Sequence, residues 1–223
     1  MAKIDISINP LAEFIQASSL RKRSIVKQQL NPPKVMVARY RTARSHIRRS
    51  VMNGFSTQEI VAGVMVLQKR QPKTNFAQSD IKNSIEALRF FLDLKFPEMK
   101  NLISCHFYKS DKKSFELLGV NIIVAPDLIL RYNKNGINYI GGIKFHISKD
   151  KTFSYDGAQV AAYGIMSLLS KEVAVDEEIV DPTLCLSIDV FGQRVMNALS
   201  LKSDIPERVE NACTEIKAII QSL

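Results

Sequence analysis

Lys144 stands in the run Ile140-Gly-Gly-Ile-Lys-Phe-His-Ile147, which is otherwise almost wholly apolar. An ammonium group on such a segment must find an anionic partner or reach water, because burying it alone is costly. Asp127, behind Pro126 at the head of the apolar Leu128-Ile-Leu, is the obvious carboxylate for it. Pro-Asp is also a common way to open a turn, and an Asp-Lys pair can be purely structural. Further along, Gln159 and Tyr163 are spaced to share one face of a helix, which suits ligand contact and ordinary packing alike. His46, His106 and His146 show no metal-ligand spacing; His146 could line a site with Lys144, but a strand-end or surface histidine is the plainer reading. Cys105, Cys185 and Cys213 are far apart and lack CxxC spacing, so neither a disulfide framework nor a zinc site is indicated.

A second chemistry is concentrated near the N-terminus. The chain carries a net charge of +9, and residues 1–50 hold 11 Lys and Arg against only Asp5 and Glu13, while the remainder balances. This asymmetry points to a polyanionic partner, nucleic acid first or an acidic protein surface otherwise. Lys34, Arg41, Arg44 and Arg48 fall on one side of a helical pattern, with Arg49 beside them. A solvated face is the plain explanation, but acids to lace these charges into i,i+4 pairs are almost absent. Arginine also suits phosphate, whose oxygens its planar fork binds two at a time. There is no zinc-finger spacing and no aromatic array for stacking bases, so backbone contact with little sequence reading is expected.

The elements that must position these residues change character along the chain. Its 223 residues, 46% apolar, suffice for a sizeable core. The first hundred residues read as helical: one helix over about 8–30 ending before Pro32-Pro33, and another over about 34–52 with Met36, Tyr40, Ala43, Ile47 and Val51 as its apolar stripe. A third is opened by the Ser56-x-x-Glu59 capping-box pattern, and a fourth, capped by Ser79, carries Ile81, Ile85, Leu88 and Leu92. Strands are predicted over 102–108, 115–124, 128–132 and 137–147, the last two joined at the hairpin signal Asn135-Gly136. An apolar helix with small residues follows over 155–169, then a buried strand over 184–191 and a final helix over 206–222. A boundary near residue 76 would separate a basic helical part, 1–76, from a mixed α/β part, 77–223. No run long enough to span a membrane and no apolar leader is evident, and a cytoplasmic protein is expected.

The order helix, three strands, helix, strand, with Pro126-Asp127 before an apolar strand and Gly142-Ile-Lys144 on the hairpin's return, resembles the core of the PD-(D/E)xK, or restriction-endonuclease-like, nuclease superfamily. Gln159-Val-Ala-Ala-Tyr163 is similar to the QxxxY element of its RecB-like branch. The resemblance implies an α-β-β-β-α-β core, a mixed sheet flanked by helices, here with an N-terminal helical extension. It further implies phosphodiester hydrolysis on DNA, more than RNA, assisted by Mg²⁺ or Mn²⁺, in repair, restriction or antiviral defence. In that frame Asp127 and Glu86 hold the metal, Lys144 stabilises charge at the scissile phosphate, and Gln159 and Tyr163 contact the substrate or buttress the site. The sequence departs from the pattern at Gly142, where the second metal-binding acid belongs. Either a carboxylate from Glu86, Glu116 or Asp156 replaces it, or the chain is a degenerate nuclease-fold subunit that binds nucleic acid or a partner protein in a larger complex.

Overall fold

Asn135 and Gly136 turn the chain as predicted. In the computed structural model, which describes residues 4–31, 39–96, 105–175 and 177–223, they have φ of 54° and 82°, the positive values that a tight hairpin turn requires at both positions. They join β5 (Leu128–Lys134) to β6 (Ile137–His146) in an antiparallel pair whose register runs from Leu128 opposite Ile143 to Lys134 opposite Ile137. β2 (His106–Tyr108) flanks β5, β7 (Ile179–Asp189) lies parallel to β6, and β8 (Arg194–Asn197) closes the order β2-β5-β6-β7-β8. Parallel neighbours need a crossover. It is supplied by α6 (Tyr155–Leu168), which runs on into a π-helical turn, Leu169–Val173.

Strand alternation divides the sheet's side chains between two layers. Leu128, Leu130, Ile143 and Phe145 pack with α3 (Arg41–Met52), α4 (Thr57–Gln68) and α5 (Asn75–Leu92). Ile129, Ile140 and Cys185 pack on the opposite face with α6 and α7 (Ile205–Gln221). A second, three-stranded sheet of order β1-β4-β3 is built from β1 (Ile4–Ser7), β3 (Ser114–Leu117) and β4 (Val120–Ile123), with β1 parallel to β4. Its apolar residues Ile6, Phe115 and Ile122 enter the same core as α6, together with α1 (Ile8–Phe14) and α2 (Ser19–Leu30). α1 and α6 approach closely at Gly164, where an added Cβ would lie 2.6 Å from Ile8 Cδ1. The architecture is α/β, mixed sheets flanked by helices. Among the described residues no helix is long and apolar enough to cross a membrane.

Several boundaries differ from the predicted ones. The helix expected over 8–30 is two, α1 and α2, divided where Ser18 adopts an extended conformation ahead of Ser19, residue types that favour caps over helix interiors. The helix expected from 34 starts at Arg41, because Tyr40 is left-handed with φ 60° and its N–H donates to Asp80 instead of continuing a helix. Lys34 and Met36 lie outside the described residues. Ser56 sits at the N-terminus of α4 as predicted but makes no capping hydrogen bond. α5 begins before Ser79, capped by Thr74, whose Oγ1 accepts from Ala77 N at 3.1 Å. The strand expected over 115–124 folds back at Leu118 and Gly119, both with positive φ, and becomes the β3–β4 hairpin of the smaller sheet. β7 starts at Ile179, ahead of the predicted 184, and β8 is a strand that the sequence pattern did not indicate.

Candidate functional site

Asp127 leads into β5, and its N–H donates to Ile143 O at 2.7 Å, next to Lys144 on the neighbouring strand; Asp127 forms its ion pair with Arg44 and not with Lys144, on which it acts only through its charge. The carboxylate is almost fully buried. Its Oδ2 accepts from Phe145 N at 2.8 Å, and Arg44 Nη1, reaching from α3, lies 2.8 Å from both oxygens. Lys144 Nζ donates to Ala125 O at 3.3 Å. Ala125 itself is held at φ 47°, a left-handed conformation that costs an alanine roughly 1–2 kcal/mol. Strained backbone, a buried carboxylate and two cations therefore meet at one end of the β5–β6 pair.

Burial pushes Lys144 down from its ordinary 10.5 to about 8; Asp127 opposes that shift and Arg44 adds to it. Below about pH 8 the folded and unfolded chains both carry the proton, so the folded state bears the whole penalty. Between pH 8 and 10.5 the folded lysine loses its proton first, and stability rises with pH. Lys144→Met is thus expected to stabilise the fold at pH 7 by about 1–3 kcal/mol, at roughly 1.4 kcal/mol per pKa unit. In urea titrations the gain should shrink steadily towards pH 10.5; a gain independent of pH would mean that the ammonium is well solvated.

Gly142 is occupied by packing. An added Cβ would lie 2.9 Å from Ile165 Cγ2, 3.4 Å from Leu169 Cδ1 and 3.6 Å from Ile129 Cδ1. The position expected to supply an acid points instead into the aliphatic contact between the sheet and α6. Of the three acids considered as replacements, two are engaged elsewhere and one lies on the smaller sheet. Glu86 on α5 bridges to Lys149 at 2.7 Å. Glu116 is exposed on β3, in the smaller sheet, opposite Asn121. Asp156, in the first turn of α6, is held by Lys202 at 2.9 Å and Arg208 at 2.8 Å, contacts that lower its pKa. Mg²⁺ and Mn²⁺ are held by one or two free carboxylates together with water and phosphate oxygens. The carboxylate of Asp127 accepts from a guanidinium and an amide, and Glu86 and Asp156 are held by cations of their own. As arranged, with Arg44 on Asp127 and no second carboxylate beside it among the described residues, this donor set is a poor fit for a divalent cation.

Gln159 is fully buried, and its Oε1 accepts from Lys202 N at 2.7 Å, so it holds the segment leading to α7. Its Nε2 has no hydrogen-bond partner among the described residues. Tyr163 packs partly buried against the core around α6. Neither contacts Asp127 or Lys144 through any hydrogen bond in the structure.

The basic residues divide. Arg44 turns inward to Asp127, while Arg41 and Arg49 line a groove of about 610 Å³ on the outer side of α3 and α4 with Thr42, Ser45 and Arg70. Arg70 was not singled out in the sequence; it belongs to the groove because α4 packs beside α3. Arg41 and Arg70 form no ion pair with any described residue, and Arg49 only a long one, 3.9 Å, with Glu59. Arg48 is half-buried, its Nε shielded without a partner among the described residues.

A larger cleft, about 640 Å³, opens beside Arg44 at the C-terminal end of β6, walled by α1 and the connection from β6 to α6. His146 lines it, and burial lowers that imidazole's pKa. A carbonyl can only accept, so the contact with Lys151 O assigns the proton to Nε2 and leaves Nδ1 to accept from Asn9 Nδ2 at 3.2 Å. Asp189, fully buried on β7, accepts from Phe153 N and Gly192 N and so anchors the same connection. Asn9 and Asp189 carried no sequence signal, since their roles depend on elements far apart in the chain. No protein-family model, curated protein or solved structure matches this chain.

Proposed function

We propose that the protein binds nucleic acid through its cationic helices on a core of the restriction-endonuclease-like type, without cutting it. For the core, α5, β2, β5, β6, α6 and β7 follow as helix, three strands, helix and strand, with the last strand parallel to the third. The β3–β4 hairpin is an insertion in that order. Asp127 and Lys144 lie at the positions that the superfamily resemblance assigns to its site.

The observation that carries the binding reading is the groove with Arg41, Arg49 and Arg70, three exposed guanidinium groups with the hydroxyls of Thr42 and Ser45 between them and a single lining acid, Asp80, so that the cations remain in excess. Such a surface neutralises phosphates without reading bases. The Arg44–Asp127 ion pair carries the second half of the reading, because a guanidinium is bound where hydrolysis would need a cation. Glu86, the proposed second metal ligand, contributes to a surface pair instead.

Fluorescence anisotropy with labelled single- and double-stranded DNA and RNA over a range of salt concentrations tests this. Arg41, Arg49 and Arg70 are exposed, so changing all three to Ala should leave the fold intact. It should also flatten the dependence of log K on log salt by about two to three units, near 0.9 per lost phosphate contact. Incubation with Mg²⁺ or Mn²⁺ should leave the same substrates intact. Unaltered binding by the triple variant would sink the binding reading. Cleavage by the wild type that disappears in Asp127→Asn would restore the hydrolytic one.

A further inference from the structure

We propose that the cleft beside β6 is a site for a nucleoside phosphate, either a free mononucleotide or the phosphorylated end of a strand. It is separate from the arginine groove and does not depend on that groove's role. Its volume, about 640 Å³, falls in the roughly 300–1,000 Å³ range of small-molecule sites.

Charge defines one part of the ligand. Arg21 and Lys151 line the cleft and share a single acid, Glu13, at 2.6 and 3.7 Å. Arg44 lines it as well, paired with Asp127, and behind that pair lies the ammonium of Lys144, which feels the Asp127 charge without bonding to it. Four cations against two carboxylates leave two positive charges, which matches the charge of about −1.5 to −2 that a phosphomonoester carries at neutral pH. Guanidinium and ammonium groups are the usual partners of its oxygens.

Hydrogen bonding defines another part. His146 accepts from Asn9 Nδ2, which orients the Asn9 amide, and the Asn9 Oδ1 then lies shielded from solvent with no donor among the described residues. A buried acceptor of this kind favours a ligand that donates. Phosphate dianion does not; the amino and ring N–H groups of bases and the hydroxyls of a sugar do. Pro10, Ala12, Ile147 and Phe153 provide an apolar wall suited to the flat body of a base. Phe153 is itself backed by the His146 ring at 4.0 Å, nearly parallel. A phosphate-binding edge, a lone acceptor and an apolar wall together describe a nucleotide better than they describe either phosphate or a nucleoside alone.

Calorimetric titration of the full chain with dAMP, dCMP, dGMP and dTMP, with deoxyadenosine, and with inorganic phosphate tests the site. At least one mononucleotide should bind, and both deoxyadenosine and inorganic phosphate should bind more weakly than it does. A parallel arm compares an oligonucleotide with and without a terminal phosphate; preference for the phosphorylated form, with mononucleotides silent, would identify the strand end as the source. Lys151 is mostly exposed, so Lys151→Glu should fold normally and weaken binding at least about tenfold, as expected for losing a charge-assisted contact. Arg21→Ala serves as a second variant with the same expected direction. Arg41, Arg49 and Arg70 all changed to Ala should leave mononucleotide binding unaltered, which separates this site from the groove. Absence of binding by every mononucleotide together with indifference to the terminal phosphate would overturn the proposal. So would equal affinity in wild type, Lys151→Glu and Arg21→Ala.

Discussion

Asp127→Ala should lower the stability of the fold by about 3 kcal/mol or more, since removing one member of a buried ion pair typically costs roughly 3–5 kcal/mol. The carboxylate is 7% exposed and accepts from Arg44 and Phe145 N, with the half-buried Lys144 ammonium alongside. Without it the Phe145 N–H loses its acceptor, and Lys144 loses the charge that offsets part of its desolvation. Arg44, whose side chain is 36% exposed, can turn towards water, which keeps the effect near the lower end. For a chain of this length each kcal/mol corresponds to about 2–4 °C, so a fall of roughly 6–12 °C is expected in a thermal melt. The direction is informative. A carboxylate kept for a metal sits near other carboxylates, and its removal in metal-free buffer relieves repulsion and stabilises the protein. A rise in melting temperature for Asp127→Ala without Mg²⁺ would show that Arg44 does not neutralise it. A double-mutant cycle with Arg44→Ala should return a favourable coupling of about 1–3 kcal/mol.

Gly142→Asp, which restores the acid of the nuclease motif, should destabilise the protein by about 3–5 kcal/mol rather than create a metal site. The new Cβ would press on Ile165 at 2.9 Å, and the carboxylate beyond it would enter the space among Ile165, Leu169 and Ile129. Two costs add there: overpacking against α6, which carries the crossover between β6 and β7, and desolvation of a charge among aliphatic groups. Gly142→Ala isolates the first cost and should destabilise by about 1–3 kcal/mol. The measurement is the urea midpoint of each variant with and without Mg²⁺ or Mn²⁺. Wild-type stability for Gly142→Asp, or a midpoint that metal raises in that variant alone, would show that position 142 faces the site and not the core.

Much of the sheet was legible from local signals. Asn135-Gly136 specified the hairpin because few other residue pairs tolerate two positive φ values in succession. The small residues of 158–164 announced a helix that packs closely, and Gly164 does so against Ile8. Other boundaries were lost to capping and turn chemistry that hydrophobic spacing does not report. Leu118-Gly119 broke one predicted strand into two and moved both to another sheet, and Thr74 took the capping role expected of Ser79.

The site was legible only in part. That Lys144 would lie near a carboxylate, Asp127, followed from the cost of a charge in an apolar strand; that Arg44 takes Asp127 as its ion-pair partner while Lys144 donates to Ala125 O did not. That Gly142 could supply no acid was plain from its identity. Its reason for being glycine was not, because the contact with Ile165 comes from a helix that the sequence places on the sheet but does not orient.

The sequence by itself determined the inventory: an Asp-Lys pair on a hairpin, a missing acid between them, and an excess of arginine near the N-terminus. Tertiary structure alone decided how that inventory is used. Arg44 belongs by sequence to a basic stripe, yet packing of α3 beside the β5–β6 pair brings its guanidinium to Asp127, while Arg41 and Arg49 stay outside and meet Arg70. Residues three and five positions from Arg44 on the same helix thus have the opposite fate. Helical spacing states which charges share a face, whereas the energy of each depends on what the rest of the chain sets against that face.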